Sequence, residues 1–281
     1  MRLLALLLAF AVSSAAAIET KVIKDVPYKD DVISQSPYEQ ERCKLDLTIP
    51  VGAKGFATYV YFYGGGLKKG SKDLASEYCT EIRESLAQAG IAVVTPDYRL
   101  SPKVKYPAYV DDAAAAFAWT VKHIAEHGGD PRKVFIGGHS AGGYLALMVG
   151  FDASRLKPYD LSLKDVAGIA QVSGQVFTHY TIREERGQGR YRVTSDEAAP
   201  AFHVQKTLPP VFSLYSDNDM IGRAEENQFL VAMLKGAGHV ETYSLKALGT
   251  DHGSVGHNLR FGEDPGHKAI VQFIRKQSAS R

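Results

Sequence analysis

Cysteine is nearly absent from this chain: Cys43 and Cys79 are the only two in 281 residues. That excludes a small scaffold built on several disulfides and leaves either one bridge or two buried thiols. Neither sign of charge is in excess. The 33 Lys and Arg residues stand against 31 Asp and Glu, interspersed, for a net charge of +2. This removes the electrostatic case for a nucleic acid or an acidic membrane surface as partner. Long apolar runs are also missing. The longest, Leu3 to Val12, is too short to cross a bilayer. No internal repeat, low-complexity tract or interdomain linker breaks the chain.

What stands at the N-terminus is Met1-Arg2, the apolar run, and then small residues ending Ala15-Ala16-Ala17. A single basic residue, a short greasy core and an A-x-A end read as a secretory signal peptide over residues 1–17, with cleavage after Ala17. The expectation is an exported protein with no stable membrane association after cleavage. Residues 18–281 are enough for one large α/β domain with a substantial core.

Along that domain, strand and helix patterns alternate. Strands are expected near Lys21–Ile23, at Lys44–Ile49 (half-exposed, from its polar/apolar alternation), and at Phe56–Tyr63, Ile91–Thr95, Val134–Ile136, Val166–Val172, Pro210–Tyr215 and Glu241–Leu245. Leu74, Tyr78, Ile82 and Leu86 mark one helix by their four-residue spacing. Val110, Ala113, Ala114, Phe117, Val121 and Ile124 mark another, opened by Pro107. A third follows Asp264-Pro265. Such alternation predicts a mostly parallel sheet with helices on both faces, where ligands bind beyond the carboxyl ends of the strands. Residues 174–207 have no clean period. A long irregular stretch of this kind is a candidate lid or substrate-binding insertion, with Phe177, Tyr180, Arg183 and Tyr191 as residues that shape a pocket.

The chemistry gathers around Gly138-His139-Ser140-Ala141-Gly142-Gly143, set between the apolar run Val134–Ile136 and the apolar residues Leu145 to Val149. Strand, tight turn and helix with G-x-S-x-G at the apex is the pattern of a nucleophile elbow. Its serine sits in a strained turn, and the flanking glycines approach too closely for side chains. Ser140 is the candidate nucleophile, and the Ala141 N–H, at a helix N-terminus, is a candidate donor to a developing negative charge. A serine hydroxyl needs a base, and the base an acid, in the chain order Ser, Asp or Glu, His. Ser216-Asp217-Asn218-Asp219 follows one predicted strand and Asp251-His252-Gly253-Ser254 follows the next. His252, in a loop after the last strand, is the candidate base. Asp219 is preferred to Asp217 as the acid, because the second acidic residue of such a loop usually points at the histidine. Asp217 is then expected to cap turn N–H groups. Gly64-Gly65-Gly66, after a strand, can turn further backbone N–H groups toward the oxyanion.

One competing motif is present. His123-Ile124-Ala125-Glu126-His127 fits the H-x-x-E-H pattern of some zinc peptidases. These residues end a helix just before two glycines, where histidines suit the helix dipole, and no third ligand stands at a motif spacing. No metal site is expected.

With these residues in place, the chain resembles the esterase/lipase branch of the α/β-hydrolase superfamily, which includes hormone-sensitive-lipase-like carboxylesterases and feruloyl-esterase-like enzymes. Tyr61-Phe62-Tyr63-Gly64-Gly65-Gly66, Pro96-Asp97-Tyr98-Arg99-Leu100-Ser101-Pro102, the elbow and Asp251-His252-Gly253-Ser254 carry the resemblance. It implies an α/β-hydrolase fold, Ser140, Asp219 and His252 as a triad, and Gly65, Gly66 and Ala141 as oxyanion donors, with no cofactor. Tyr63 and Leu67 stand where the family usually has His and Trp, and Ser216 replaces a usual glycine. The expected activity is hydrolysis of carboxylic esters, small or sugar-linked, through an acyl-enzyme. An amidase or formamidase on the same machinery and a non-catalytic binding protein on the same fold are the alternatives.

Overall fold

The computed structural model describes residues 17–29, 36–73 and 78–281. The leader expected at residues 1–17 lies outside the described residues except for Ala17. One eight-stranded sheet runs through the molecule. Its strands are β1 (Thr20–Pro27), β2 (Lys44–Pro50), β3 (Phe56–Phe62), β4 (Ala92–Pro96), β5 (Gly129–His139), β6 (Gly168–Val172), β7 (Val211–Asn218) and β8 (Thr242–Asp251). They lie in the order β1-β2-β4-β3-β5-β6-β7-β8. The β1–β2 and β2–β4 pairs are antiparallel, and the five remaining pairs are parallel.

The helices are α1 (Pro37–Arg42), α2 (Cys79–Gln88), α3 (Ala108–His123), α4 (Ala141–Phe151), α5 (Tyr180–Glu185), α6 (Arg223–Gly236), α7 (His252–His257) and α8 (Pro265–Ala279). Helix α2 begins at Cys79, and Leu74, expected on its face, lies outside the described residues. Every residue of α4 is buried, which is why its sequence is apolar all round rather than on one stripe. It packs beneath the centre of the sheet, against β5 and β6. Cys43 and Cys79 are both buried, and no disulfide joins them. Burial pushes the Cys43 thiol up to about 12, so it behaves as a small apolar side chain at neutral pH.

The alternation in β2 misleads. It predicts a half-exposed strand, yet Leu45, Asp46, Leu47 and Thr48 are all buried. Asp46 accepts from Lys72 Nζ at 2.8 Å and from Arg83 Nη1 at 2.9 Å. The polar face of the strand is therefore covered by ion partners, which reach it from the loop after β3 and from α2.

Segment 174–207 is anchored rather than draped. Thr178, His179, Thr181, Ile182 and Ala198 are buried. Helix α5 opens on the His179 side chain, whose Nδ1 accepts from Thr181 N.

Candidate active site

Ser140 joins β5 to α4 with φ 57° and ψ −115°. A positive φ is costly for a residue with a Cβ and persists only where the surroundings over-determine it. Here the glycines do so. A Cβ on Gly142 would lie 2.0 Å from the Phe62 carbonyl oxygen, and one on Gly138 would lie 2.3 Å from the same oxygen. Strand β3 thus presses against both sides of the turn and holds the serine at its apex.

His252 does not sit in a loop, as its sequence position suggested. It opens α7 immediately after β8, because Asp251 and Ser254 form a reciprocal cap. Asp251 Oδ1 accepts from Ser254 N at 2.7 Å, and Ser254 Oγ accepts from Asp251 N at 2.8 Å. The cap fixes the direction in which the imidazole leaves the backbone. His252 Nε2 lies 2.8 Å from Ser140 Oγ and Nδ1 lies 2.5 Å from Asp219 Oδ1. The carboxylate can only accept, so Nδ1 carries the proton and Nε2 faces the serine as an acceptor.

Asp219 is fully buried at its side chain, whereas His252 keeps 20% exposure. Burial alone would raise the Asp219 carboxyl. Hydrogen bonds from His252 and from Ser173 Oγ at 2.5 Å, with the N–H of Met220, hold it below the usual carboxylate range instead. Asp217 faces elsewhere and accepts from the N–H groups of Gly249 and Thr250, tying the end of β8 to the end of β7. Ser216, in the place of the family's glycine, is buried. Its hydroxyl donates to the Thr250 carbonyl and accepts from Asn218 N. The acid loop is thus held from both sides, and only its second aspartate reaches the histidine.

On the opposite side, Gly65, Gly66 and Leu67 all have positive φ. The N–H groups of Gly65, Gly66 and Ala141 donate to no protein group among the described residues. The loop is braced without the family's His and Trp. Tyr63 stacks on Tyr98 with centroids 4.6 Å apart, and its hydroxyl takes a hydrogen bond from Arg42 Nη2 at 2.5 Å. Tyr98 Oη donates to the Tyr63 and Gly64 carbonyls. Leu67 is buried and its carbonyl accepts from Ser101 N. Thr181 Oγ1 donates to the Gly66 carbonyl at 2.6 Å. The Tyr63, Gly64, Gly66 and Leu67 carbonyls are thus engaged by other elements, while the N–H groups of Gly65 and Gly66 keep no protein acceptor among the described residues.

Two residues here carry no individual signal in the sequence. Ser173, at the end of β6 with φ 49°, supports Asp219. His139, inside the elbow motif, donates from Nε2 to the His252 carbonyl at 2.7 Å. Burial, with His252 and His257 nearby, pulls His139 down to about 3, so it is neutral. Its position next to the nucleophile was the available clue, but its partner is 113 residues away.

The H-x-x-E-H residues form no metal cage. His123 Nδ1 pairs with Glu126 Oε1 at 2.9 Å and its ring stacks on Trp119. Among the described residues the metal-ligating types converge only at Glu39, Cys43 and Asp112. There, Lys29 and Arg99 already pair with both carboxylates.

A strand–elbow–helix serine in hydrogen-bond series with a histidine and a buried aspartate, on a mainly parallel sheet, defines a site of the α/β-hydrolase class. The chain belongs to the alpha/beta hydrolase fold family, which it matches over residues 59–207, more than half its length. It is 37% identical over 100 residues to carboxylesterase NlhH of Mycobacterium tuberculosis, a match covering 36% of this chain and 30% of that protein. It is 35% identical over 159 residues to versiconal hemiacetal acetate esterase of Dothistroma septosporum, covering 56% and 46%. The chain thus spans less than half the length of these curated relatives. Among solved structures, a truncated carbohydrate esterase from gut microbiota superposes with a TM-score of 0.75 at 20% identity, over 94% of this chain and 99% of that one. The carboxylesterase EstE1 from a metagenomic library gives 0.67 at 22% identity, over 93% and 88%.

Proposed function

We propose that this protein is an exported serine hydrolase that cleaves carboxylic esters. The observation that carries the reading is the 2.8 Å contact between Ser140 Oγ and His252 Nε2, with Nδ1 held by Asp219. Ser140 attacks the ester carbonyl while His252 takes the hydroxyl proton. Asp219 keeps the imidazole in the required tautomer and stabilises its charged form. The N–H groups of Gly65, Gly66 and Ala141 stabilise the tetrahedral oxyanion, each such donor contributing about 3 kcal/mol in the transition state. His252 returns the proton to the leaving alcohol, then draws one from the water that releases the acyl group. The esterase names of the relatives support this substrate class, and the Met1–Ala17 pattern supports export.

The test is the pre-steady-state time course with 4-nitrophenyl acetate. Accumulation of an acyl-Ser140 enzyme predicts a burst of 4-nitrophenol of one equivalent per folded chain, and a mass gain of about 42 Da (an acetyl group replacing the hydroxyl hydrogen) on the peptide carrying Ser140 after acid quench. Turnover with no acyl adduct under any quench condition contradicts the covalent route.

A further inference from the structure

A cavity of about 360 Å³ opens beside the candidate site, between the segment after β6 and the turn after β7. Two contacts tie its walls to the site. Tyr180, on its wall, packs its hydroxyl against Gly66, so closely that a Cβ there would lie 2.0 Å from the oxygen. Met220, on the other wall, directly follows Asp219 and donates its N–H to that carboxylate. The cavity is therefore one side chain from the oxyanion loop and one residue from the triad acid.

Its lining is basic. Arg183, Arg190 and Arg223 face it against a single lining carboxylate, Glu226. Glu226 is partly engaged, accepting from Val176 N at 3.0 Å with Arg223 Nε 3.9 Å away. Arg223 also donates from Nη1 to the Ser173 carbonyl. Arg190 lies over the Tyr180 ring and 3.6 Å from Glu184, which is shared with Lys68.

Arg183 is the exception. It is only 5% exposed, its Nη1 is spent on the Arg192 carbonyl, and its buried Nε has no hydrogen-bond partner. Among the described residues no carboxylate lies within 4.0 Å of it. Burial, with Arg223 and Arg190 close by, disfavours its charge, and Glu226 offsets this only in part. A buried, unsatisfied guanidinium costs stability until an anion pairs with it. A planar fork of donors is matched by a planar acceptor, and one uncovered cation near Glu226 suits a monoanion. At the mouth stand Tyr191, 86% exposed, and the fully exposed Ile221, an apolar flank for a carbon framework.

We propose that this cavity binds a carboxylate carried by the ester substrate, with Arg183 as its principal partner and Arg190 at the entrance. The substrate class is an ester that bears a second, free carboxylate away from the scissile bond. As a substrate assignment it rests on the ester-hydrolase reading, whereas the anion site itself does not.

Two matched pairs locate the carboxylate. Mono(4-nitrophenyl) glutarate against 4-nitrophenyl valerate places it on the acyl side, and 4-acetoxybenzoate against 4-acetoxytoluene on the alcohol side. Each pair is normalised to its own alkaline hydrolysis rate. In at least one pair the charged ester is expected to have kcat/KM about tenfold higher, through KM, and to lose that advantage in high salt. Arg183→Gln is expected to lower the charged-to-neutral ratio about tenfold. Arg190→Gln, at an exposed position, is expected to lower it about threefold.

Calorimetric binding of the monoanions valerate and benzoate to the intact protein reads the site without turnover. Binding weakened by Arg190→Gln while no ester is cleaved means that the hydrolase reading fails and the anion site stands. Esters cleaved with no charged preference in either pair, or with a preference that neither arginine substitution changes, overturn the proposal.

Discussion

Two of the buried polar clusters among the described residues are built to opposite ends. One joins Asp46, Lys72 and Arg83 at the antiparallel edge of the sheet. Asp46 is fully buried and accepts from both cations and from Asp25 N. Lys72 also reaches Asp25 and Asp73, at 2.8 and 3.0 Å. Burial opposes ionising Asp46, but the hydrogen bond from Lys72 leads the effects that hold its carboxyl below the usual range. The other cluster joins Ser140, His252 and Asp219. It is closed only on its acid side and ends in a half-exposed hydroxyl, while the Gly65, Gly66 and Ala141 N–H groups donate to no protein group among the described residues. The first cluster pairs its charges with one another, leaving only Arg83 Nε without a partner, and contributes to the fold. The second leaves its last donors and acceptors for a molecule that is not part of the chain.

That contrast breaks if the triad side chains prove to be structural. Ser140→Ala is expected to lower kcat for aryl esters by about 10⁵-fold or more, with the melting temperature nearly unchanged. Asp219→Asn is expected to cost about 10⁴-fold in kcat through the wrong imidazole tautomer. Asp217→Asn should stay within about threefold, since its two hydrogen bonds end on the largely exposed last residues of β8. Steady-state kinetics on both asparagine variants separate the two aspartates, and a larger loss at Asp217 reverses their roles. Asp46→Asn should show the opposite pattern, about 3 kcal/mol less stable in urea unfolding because Lys72 and Arg83 lose the buried carboxylate they share, the only one that Arg83 has among the described residues, with kcat per folded molecule unchanged.

His139 sharpens the comparison, because it belongs to the elbow by sequence and to the histidine by contact. His139→Leu keeps the volume but removes the bond to the His252 carbonyl. It is expected to lower kcat about tenfold with little change in KM. The same residue sets a pH dependence of stability. Its folded value of about 3 lies below the ordinary 6.5, so the unfolded chain takes up a proton that the native state refuses. The stabilisation is complete above pH 6.5 and is lost as pH falls toward 3, by up to about 1.4 kcal/mol per pH unit. Buried His179, likewise held low, acts in the same direction. Urea midpoints between pH 6.5 and 4 should therefore fall more steeply in the parent than in His139→Leu.

Much of this architecture was legible in the sequence. The elbow announces itself because β3 tolerates no Cβ at Gly138 or Gly142, a constraint that forces residue identity at fixed spacing. The order of strands and helices follows from short apolar runs and helical stripes, and the two acid candidates were separable by position. The sequence says least where partners are distant. Asp46 and Thr48 look like an exposed face because Lys72 and Arg83 come from other elements. The Ser173 support for Asp219 spans 46 residues. Helix α7 was read as a loop because its capping box, Asp251 with Ser254, spans only one turn and precedes no apolar stripe.

The most direct measurement is labelling of the folded, full-length protein with a 4-nitrophenyl phosphonate ester, followed by peptide mass spectrometry. The account predicts one equivalent of phosphonate on Ser140, with esterase activity lost in step with labelling and no label on Ser140→Ala. Stoichiometric label on another residue, or full activity in protein whose Ser140 is completely labelled, contradicts it.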